Sequence, residues 1–392
     1  MAKQQISYND AKKVSEGDAA FGFSMMPHLG EGNATFSPYS IRTALAMVYE
    51  SARGASAKEI SNAAFIPENI ESRLRGYGEL MNRLNAKNDS YTLRSANGLW
   101  VEKRFKINPG FRDTLKDKYQ ARVSNADFED NAGYWRDEIN KWVSQQTEEK
   151  IPALFPEGSI DARTVVALAN ALYFKGFWED KFDAQFTQKQ DYKLPSGEVV
   201  KVDMMRKGAV ERLSKLPKFK YGCFDGFQVA LLPYKGHELA KVVILAPKSS
   251  RISQLEKFLQ EVPRTFTDWL ENLDECSFAR LEIPKHEVRG SYSLNAPLQS
   301  MGINRIFNLS TADLSGMGEG PLFIGSGHHQ AYFKTDEEGS EGAAATGFGI
   351  LRGCVMREPE PVEFVADRPF LEMIVHQPTN ALLFLNRIVD PR

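Results

Sequence analysis

The sequence predicts an α+β fold, and three observations carry that expectation. The first third is largely helical in pattern, while residues 182 to 292 are dominated by short strand patterns. Between them Thr164 to Phe174 is a nearly continuous apolar run, as expected of a strand buried on both faces. The third observation is a segment unlike anything else in the chain. Lys334 to Pro369 opens with Asp336, Glu337 and Glu338, runs through small residues from Gly339 to Gly349, offers Arg352 and Arg357, and closes on Pro359-Glu360-Pro361. Its glycines argue against a helix over the whole length, and a structureless connection this long inside a compact domain is usually functional when it is ordered.

Taken in order, Ala19 to Met26 is an apolar patch, broken by Gly30-Glu31-Gly32. Ser37 before Pro38 is a helix start, with proline in the first turn of a helix running through Thr43 to Tyr49. Leu93 to Val101 is predicted as a strand, and Phe111 to Tyr119 and Ile139 to Val143 as helical. In the run 164–174 Asn170 is the informative residue, because a buried amide without partners costs about 1–3 kcal/mol. Gln228 to Pro233 and Lys241 to Leu245 are strands about a turn at Tyr234 to Gly236. Ile252 to Leu270 is predicted helical, Phe278 to Val288 an alternating strand, and Val362 to Val375 an apolar strand pattern.

Composition narrows the function. With 392 residues, 42% hydrophobic and 26% charged, the chain has material for a large core. A net charge of -2 gives no electrostatic reason to propose nucleic acid or an anionic membrane as partner. No apolar run approaches a membrane span, and the N-terminus shows no apolar leader, so a cytoplasmic or leaderless protein is expected. Cys223, Cys276 and Cys354 lie far apart without a C-x-x-C pair, which favours free thiols. Enzyme motifs are missing: there is no G-x-S-x-G elbow, no P-loop, and His237-Glu238 lacks a second histidine for H-E-x-x-H. His328-His329 is the one pair of candidate metal ligands, and adjacent histidines are more often structural. No metal, no cofactor and no enzymatic activity are expected.

The small-residue run has a second property. With period two, Ser340, Gly342, Ala344, Thr346, Phe348 and Ile350 form an uncharged face, and no proline interrupts 340 to 351. Every amide there is free to join a ladder. Composition alone leaves two readings open: a plain surface loop, or a segment that is loop in one state and central strand in another.

Glu337-Glu338-Gly339-Ser340-Glu341-Gly342-Ala343-Ala344-Ala345-Thr346 resembles the hinge of inhibitory serpins, with Gly342 where that family favours alanine. Phe36-Ser-Pro-Tyr-Ser-Ile41, Ile139-Asn-Lys-Trp-Val143, Phe174-Lys-Gly-Phe-Trp178, Ala312-Asp-Leu-Ser-Gly316 and the tail Asp367 to Pro391 resemble further motifs of the family in its order. The resemblance covers essentially the whole chain. It implies one large domain over 1–392, with three β-sheets, eight or nine helices and an exposed reactive-centre loop at about 335–363.

The resemblance also implies roles. Trp178, Lys285 and Glu337 would form the breach, where the loop first joins the main sheet. Ser37, Ser40, Asn170 and His329 would form the shutter, the polar cluster that lets strands part. The function implied is suicide inhibition of a protease by a monomer. A serine protease would cut the loop, become trapped as acyl-enzyme, and be carried along as the loop inserts. Trypsin-like, elastase-like and chymotrypsin-like targets all fit, with a cysteine protease as a further target class. The scissile bond is placed after Arg352, then at Gly353–Cys354, then at Met356–Arg357. The alternative is a non-inhibitory serpin, a carrier, chaperone or storage protein, whose hinge usually carries bulky or charged residues or proline.

Overall fold

The computed structural model describes residues 9–86, 88–208, 216–340 and 360–392. The helix α1 (Asn9–Met25) leads to the short strand β1 (Ala34–Phe36) and helix α2 (Pro38–Ser51). Ser37 caps α2 by accepting from the Ser40 amide at 3.0 Å, and Pro38 occupies the first turn, where its missing N–H is not needed. α3 (Gly54–Ala64), α4 (Ile70–Leu84), β2 (Tyr91–Glu102), α5 (Pro109–Tyr119), β3 (Arg122–Ala126), α6 (Phe128–Gln146) and β4 (Val166–Phe177) complete the first half.

The second half is strand-rich: β5 (Gln188–Lys193), β6 (Val199–Gly208), β7 (Lys218–Phe224), β8 (Phe227–Pro233) and β9 (Leu239–Leu245). The single helix expected over 252–270 is instead two, α7 (Ile252–Glu261) and α8 (Arg264–Glu271), because Pro263 can neither donate an amide nor fit inside a helix. Likewise the strand expected over 278–288 is two strands, β10 (Asp274–Pro284) and β11 (His286–Ser293), which meet at Lys285 and belong to different sheets. After α9 (Asn295–Ser300) and β12 (Ile324–Thr335) come β13 (Gly339–Ser340), β14 (Val362–Val365), β15 (Phe370–His376) and β16 (Ala381–Ile388). Asp367-Arg368-Pro369 divides what the apolar pattern joined from 362 to 375.

Three sheets organise these strands. A front sheet runs β11-β12-β4-β2-β3, with β13 added on β4. A back sheet runs β1-β16-β15-β9-β8-β7, and a side sheet of β10, β6, β5 and β14 joins it because β10 pairs first with β7 and then with β6. The main apolar core fills the space between front and back sheets, where Leu168, Leu172 and Phe174 of β4 meet Phe384 and its neighbours. On the opposite face of β4, Ala167, Ala169 and Ala171 lie under α6 in a second, smaller cluster with Trp100, Ile139 and Val143. Among the described residues no helix is long and apolar enough to cross a membrane.

The centre of the front sheet has one feature that governs the rest. β12 and β4 pair in parallel, His329 opposite Asn170, while β4 and β2 pair antiparallel. A chain that leaves the end of β12 and turns back must run antiparallel to both strands of this parallel pair.

Candidate functional site

That turn is built at Asp336–Gly339. Asp336 and Gly339 exchange backbone hydrogen bonds of 2.9 and 3.2 Å, and the Asp336 carboxylate accepts from the Glu338 amide at 3.0 Å. Gly339 has φ +152, and a Cβ there would collide with the Gly176 carbonyl oxygen, so glycine is required for the close approach. The chain then makes its first antiparallel pairs with β4, Gly339 to Phe177 and Ser340 to Gly176. Ser340 points into the core and shares a 2.7 Å hydrogen bond with the buried Tyr234 hydroxyl.

The residues assigned to the breach surround this turn. The Trp178 indole donates to the Asp336 carbonyl at 2.9 Å, and its amide donates to the Glu338 carbonyl at 3.0 Å. The Trp178 ring stacks on Tyr234 with centroids 4.8 Å apart. Glu337 is paired with Lys285 at 2.8 Å and accepts from Thr187 at 2.7 Å. Burial alone would raise the Glu337 pKa; the hydrogen bonds from Lys285 and Thr187 outweigh it and hold the carboxyl below its ordinary range. A carboxyl depressed in this way stabilises the fold above its ordinary pKa and stops doing so as pH falls through the lowered value. Glu337→Gln is therefore expected to cost about 1 kcal/mol at neutral pH, a small figure because the Lys285 ammonium is partly exposed. A urea midpoint measured at neutral and acid pH checks this: the difference between variant and parent must shrink on the acid side.

Lower in the sheet, the residues assigned to the shutter form one hydrogen-bonded cluster. Asn170, fully buried in β4, donates to the Ser40 carbonyl at 2.9 Å, the Ser40 hydroxyl at 2.7 Å and Asn97 of β2 at 2.9 Å. Its carbonyl oxygen faces His329 Nδ1 at 2.7 Å, and His329 Nε2 accepts from the Ser37 amide at 3.0 Å. One ring nitrogen accepts, so the other carries the single proton and the ring is neutral. Burial pushes the His329 pKa down to about 3, only partly offset by the bond to Asn170. Strand alternation sends His328 to the opposite face, against the Phe155 ring at 5.0 Å, so the two adjacent histidines share no ligand position.

The hinge residues Glu341, Gly342, Ala343, Ala344, Ala345 and Thr346 lie outside the described residues. So do Arg352, Gly353, Cys354, Met356 and Arg357, and with them every candidate scissile bond.

Sequence reasoning missed a buried charge cluster directly behind the turn. Lys241 of β9, Glu372 of β15 and His286 of β11 are all fully enclosed, with Lys241 Nζ and His286 Nε2 each 2.8 Å from the Glu372 carboxylate. Asn386 of β16 adds a third donor to Glu372 at 3.0 Å, and Lys241 also donates to Thr335 at the end of β12. The signal was present in Leu239-Ala-Lys-Val-Val-Ile-Leu245 and Phe370-Leu-Glu-Met-Ile-Val375: a charge inside a fully apolar strand run must find an opposite charge.

Comparison with known proteins agrees with this architecture. The leukocyte elastase inhibitor of Xenopus tropicalis is 36% identical over 390 residues, covering 97% of this chain and 100% of that protein. The human leukocyte elastase inhibitor is 34% identical over 395 residues, with the same two shares. Serpin48 of the insect Tenebrio molitor, described as a highly specific serpin, has a structure that matches with a TM-score of 0.83 at 25% identity over 100% of both chains. A sequence model of the Serpin (serine protease inhibitor) family matches residues 16–391. The chain belongs to the serpin family of serine protease inhibitors.

Proposed function

We propose that this chain is a suicide-substrate inhibitor whose cleaved loop extends β13 down the seam between β12 and β4. The observation that carries the reading is β13 itself. Gly339 and Ser340, early in the hinge, are already paired with β4, in the one polarity that a strand inserted between two parallel neighbours can have. Continuing its register places Gly342 opposite Phe174, Ala344 opposite Leu172 and Thr346 opposite Asn170. Small uncharged side chains at these positions suit insertion into a tightly packed seam.

The chemistry needs little from the inhibitor. The protease attacks the scissile carbonyl and forms an ester to its serine, releasing the new amine end of the loop. Insertion then pulls on that ester, and hydrolysis stalls if the oxyanion hole is distorted. The proposed bond follows Arg352, with Gly353–Cys354 and Met356–Arg357 next in order. Arg352 favours a trypsin-like target. The relatives named as elastase inhibitors support an elastase-like one, and a cysteine protease is the third class. The free thiols of Cys223 and Cys276 fit a reducing compartment. The domain is proposed to span 1–392, acting as a monomer.

A gel assay with trypsin, chymotrypsin, elastase and a papain-type protease tests the reading. An adduct that survives SDS, with mass spectrometry placing the cut between 352 and 357, is the expected result. Clean cleavage by all four with no adduct would point to the non-inhibitory alternative. The nicked chain is also expected to melt well above the intact one, since its freed segment completes the sheet.

A further inference from the structure

The cluster of Lys241, Glu372 and His286 has no part in the insertion scheme, and its hydrogen bonding is unusual. His286 Nδ1 lies 3.0 Å from the Pro284 carbonyl oxygen, and Nε2 lies 2.8 Å from Glu372. Both partners are acceptors only, so both ring nitrogens must donate, and only the imidazolium satisfies the arrangement. The site then holds two cations, His286 and Lys241, about one carboxylate. Burial by itself would raise the Glu372 pKa; the charges of His286 and Lys241 overcome it and hold the carboxyl at about 2.

The location gives this charge a mechanical role. His286 begins β11 and Thr335 ends β12, and the two are paired across the front sheet. Both are fastened to the back sheet: His286 through Glu372 on β15, and Thr335 through Lys241 on β9. The β12 side of the seam is thus fixed by buried charge. On the β4 side Trp178, just past the end of the strand, stacks on Tyr234, donates to the turn and lies under the Lys241 ammonium at 5.4 Å, so the same cation reaches across the seam.

We propose that Glu372, clamped between Lys241 and the protonated His286, is a buried latch that pins β11 and β12 to the back sheet and slows insertion of the uncleaved loop. The groups around His286 in the packed elements are Glu372 of β15, Lys241 of β9, Asn386 of β16 and Thr335 of β12, with the Phe333 and Phe370 rings on either side. Asp336 adds a negative charge near Lys241. The other buried histidines, His328, His329 and His376, are held neutral by burial with pKa values of about 4, 3 and 4, so they change charge on the acid side only.

The proposal rests on the insertion reading above, and its test is chosen to fail separately. Intact wild type, His286→Leu and Lys241→Met are incubated without protease at neutral pH. Each variant keeps one cation beside Glu372, so neither buries an uncompensated carboxylate. The fraction converted to a urea-resistant, loop-inserted form is followed on gradient gels, and the thermal midpoint of the unconverted fraction is measured on the same samples. Each variant is expected to convert about tenfold faster than wild type, the factor set by one charge-assisted hydrogen bond. Variants that convert no faster than wild type would overturn the latch. Protease adducts assayed in parallel report on the inhibitory reading alone.

Discussion

Thr346→Arg is expected to turn the protein from an inhibitor into a substrate. Ser340 faces the core, so residues of the same parity face it too once the strand extends along β4. The register brings residue 346 opposite Asn170 on the edge of β4 where His329 now sits opposite it, the other edge being paired with Asn97 of β2. Insertion to this depth must therefore replace the 2.7 Å hydrogen bond between Asn170 and His329 with contacts to the incoming strand. A threonine hydroxyl can donate and accept there. A guanidinium cannot accept, has no carboxylate among its neighbours, and would cost several kcal/mol as an unpaired buried charge. Cleavage by the target should proceed at an unchanged rate while the SDS-stable adduct falls by at least about tenfold. An adduct formed as well by the variant would refute this account of the register.

Acid should weaken the fold through the same cluster. His329 is held neutral at about 3, far below the ordinary imidazole value of about 6.5. The unfolded chain binds this proton more readily than the folded one, so the stability involved is fully present above the unfolded value and declines as pH falls below it. At about 1.4 kcal/mol per pH unit, His329 alone removes about 2 kcal/mol between pH 6.5 and 5. His328 and His376, each held at about 4, steepen the same slope. Urea midpoints over that window measure the effect, set against the opposing contribution of Asp18, whose carboxyl burial raises to about 6. A His329→Gln variant should lose about one proton's share of the slope, and an identical slope in the variant would show that His329 is not its source.

Much of the fold was legible because its motifs are local. The cap at Ser37, the buried run around Asn170 and the glycine at 339 each follow from rules that act over a few residues. The partnership of Glu337 with Lys285 and of Asn170 with His329 came from resemblance, since no local rule joins residues so far apart in the chain. Where the pattern failed, a proline or a change of sheet was responsible: Pro263 splits α7 from α8, and Lys285 separates strands that a period of two cannot distinguish. The Lys241–Glu372–His286 cluster was out of reach for a different reason. Two charges in two apolar strands announce that partners exist, but only the packing of three strands shows which.

The alanines of β4 beneath α6 carry a last consequence. Ala167, Ala169 and Ala171 present only methyl groups to the helix, so the two surfaces meet like a smooth bearing rather than meshed teeth. Along β4 a lateral shift of the helix drags no long side chain out of a socket; the resistance is concentrated on β2, where Trp142 packs edge-on against the buried Trp100 at 5.2 Å. The helix over β2 and β4 therefore grips the sheet unevenly, loosely along β4 and firmly at Trp100, while the tightly interlocked face behind β4 keeps its shape.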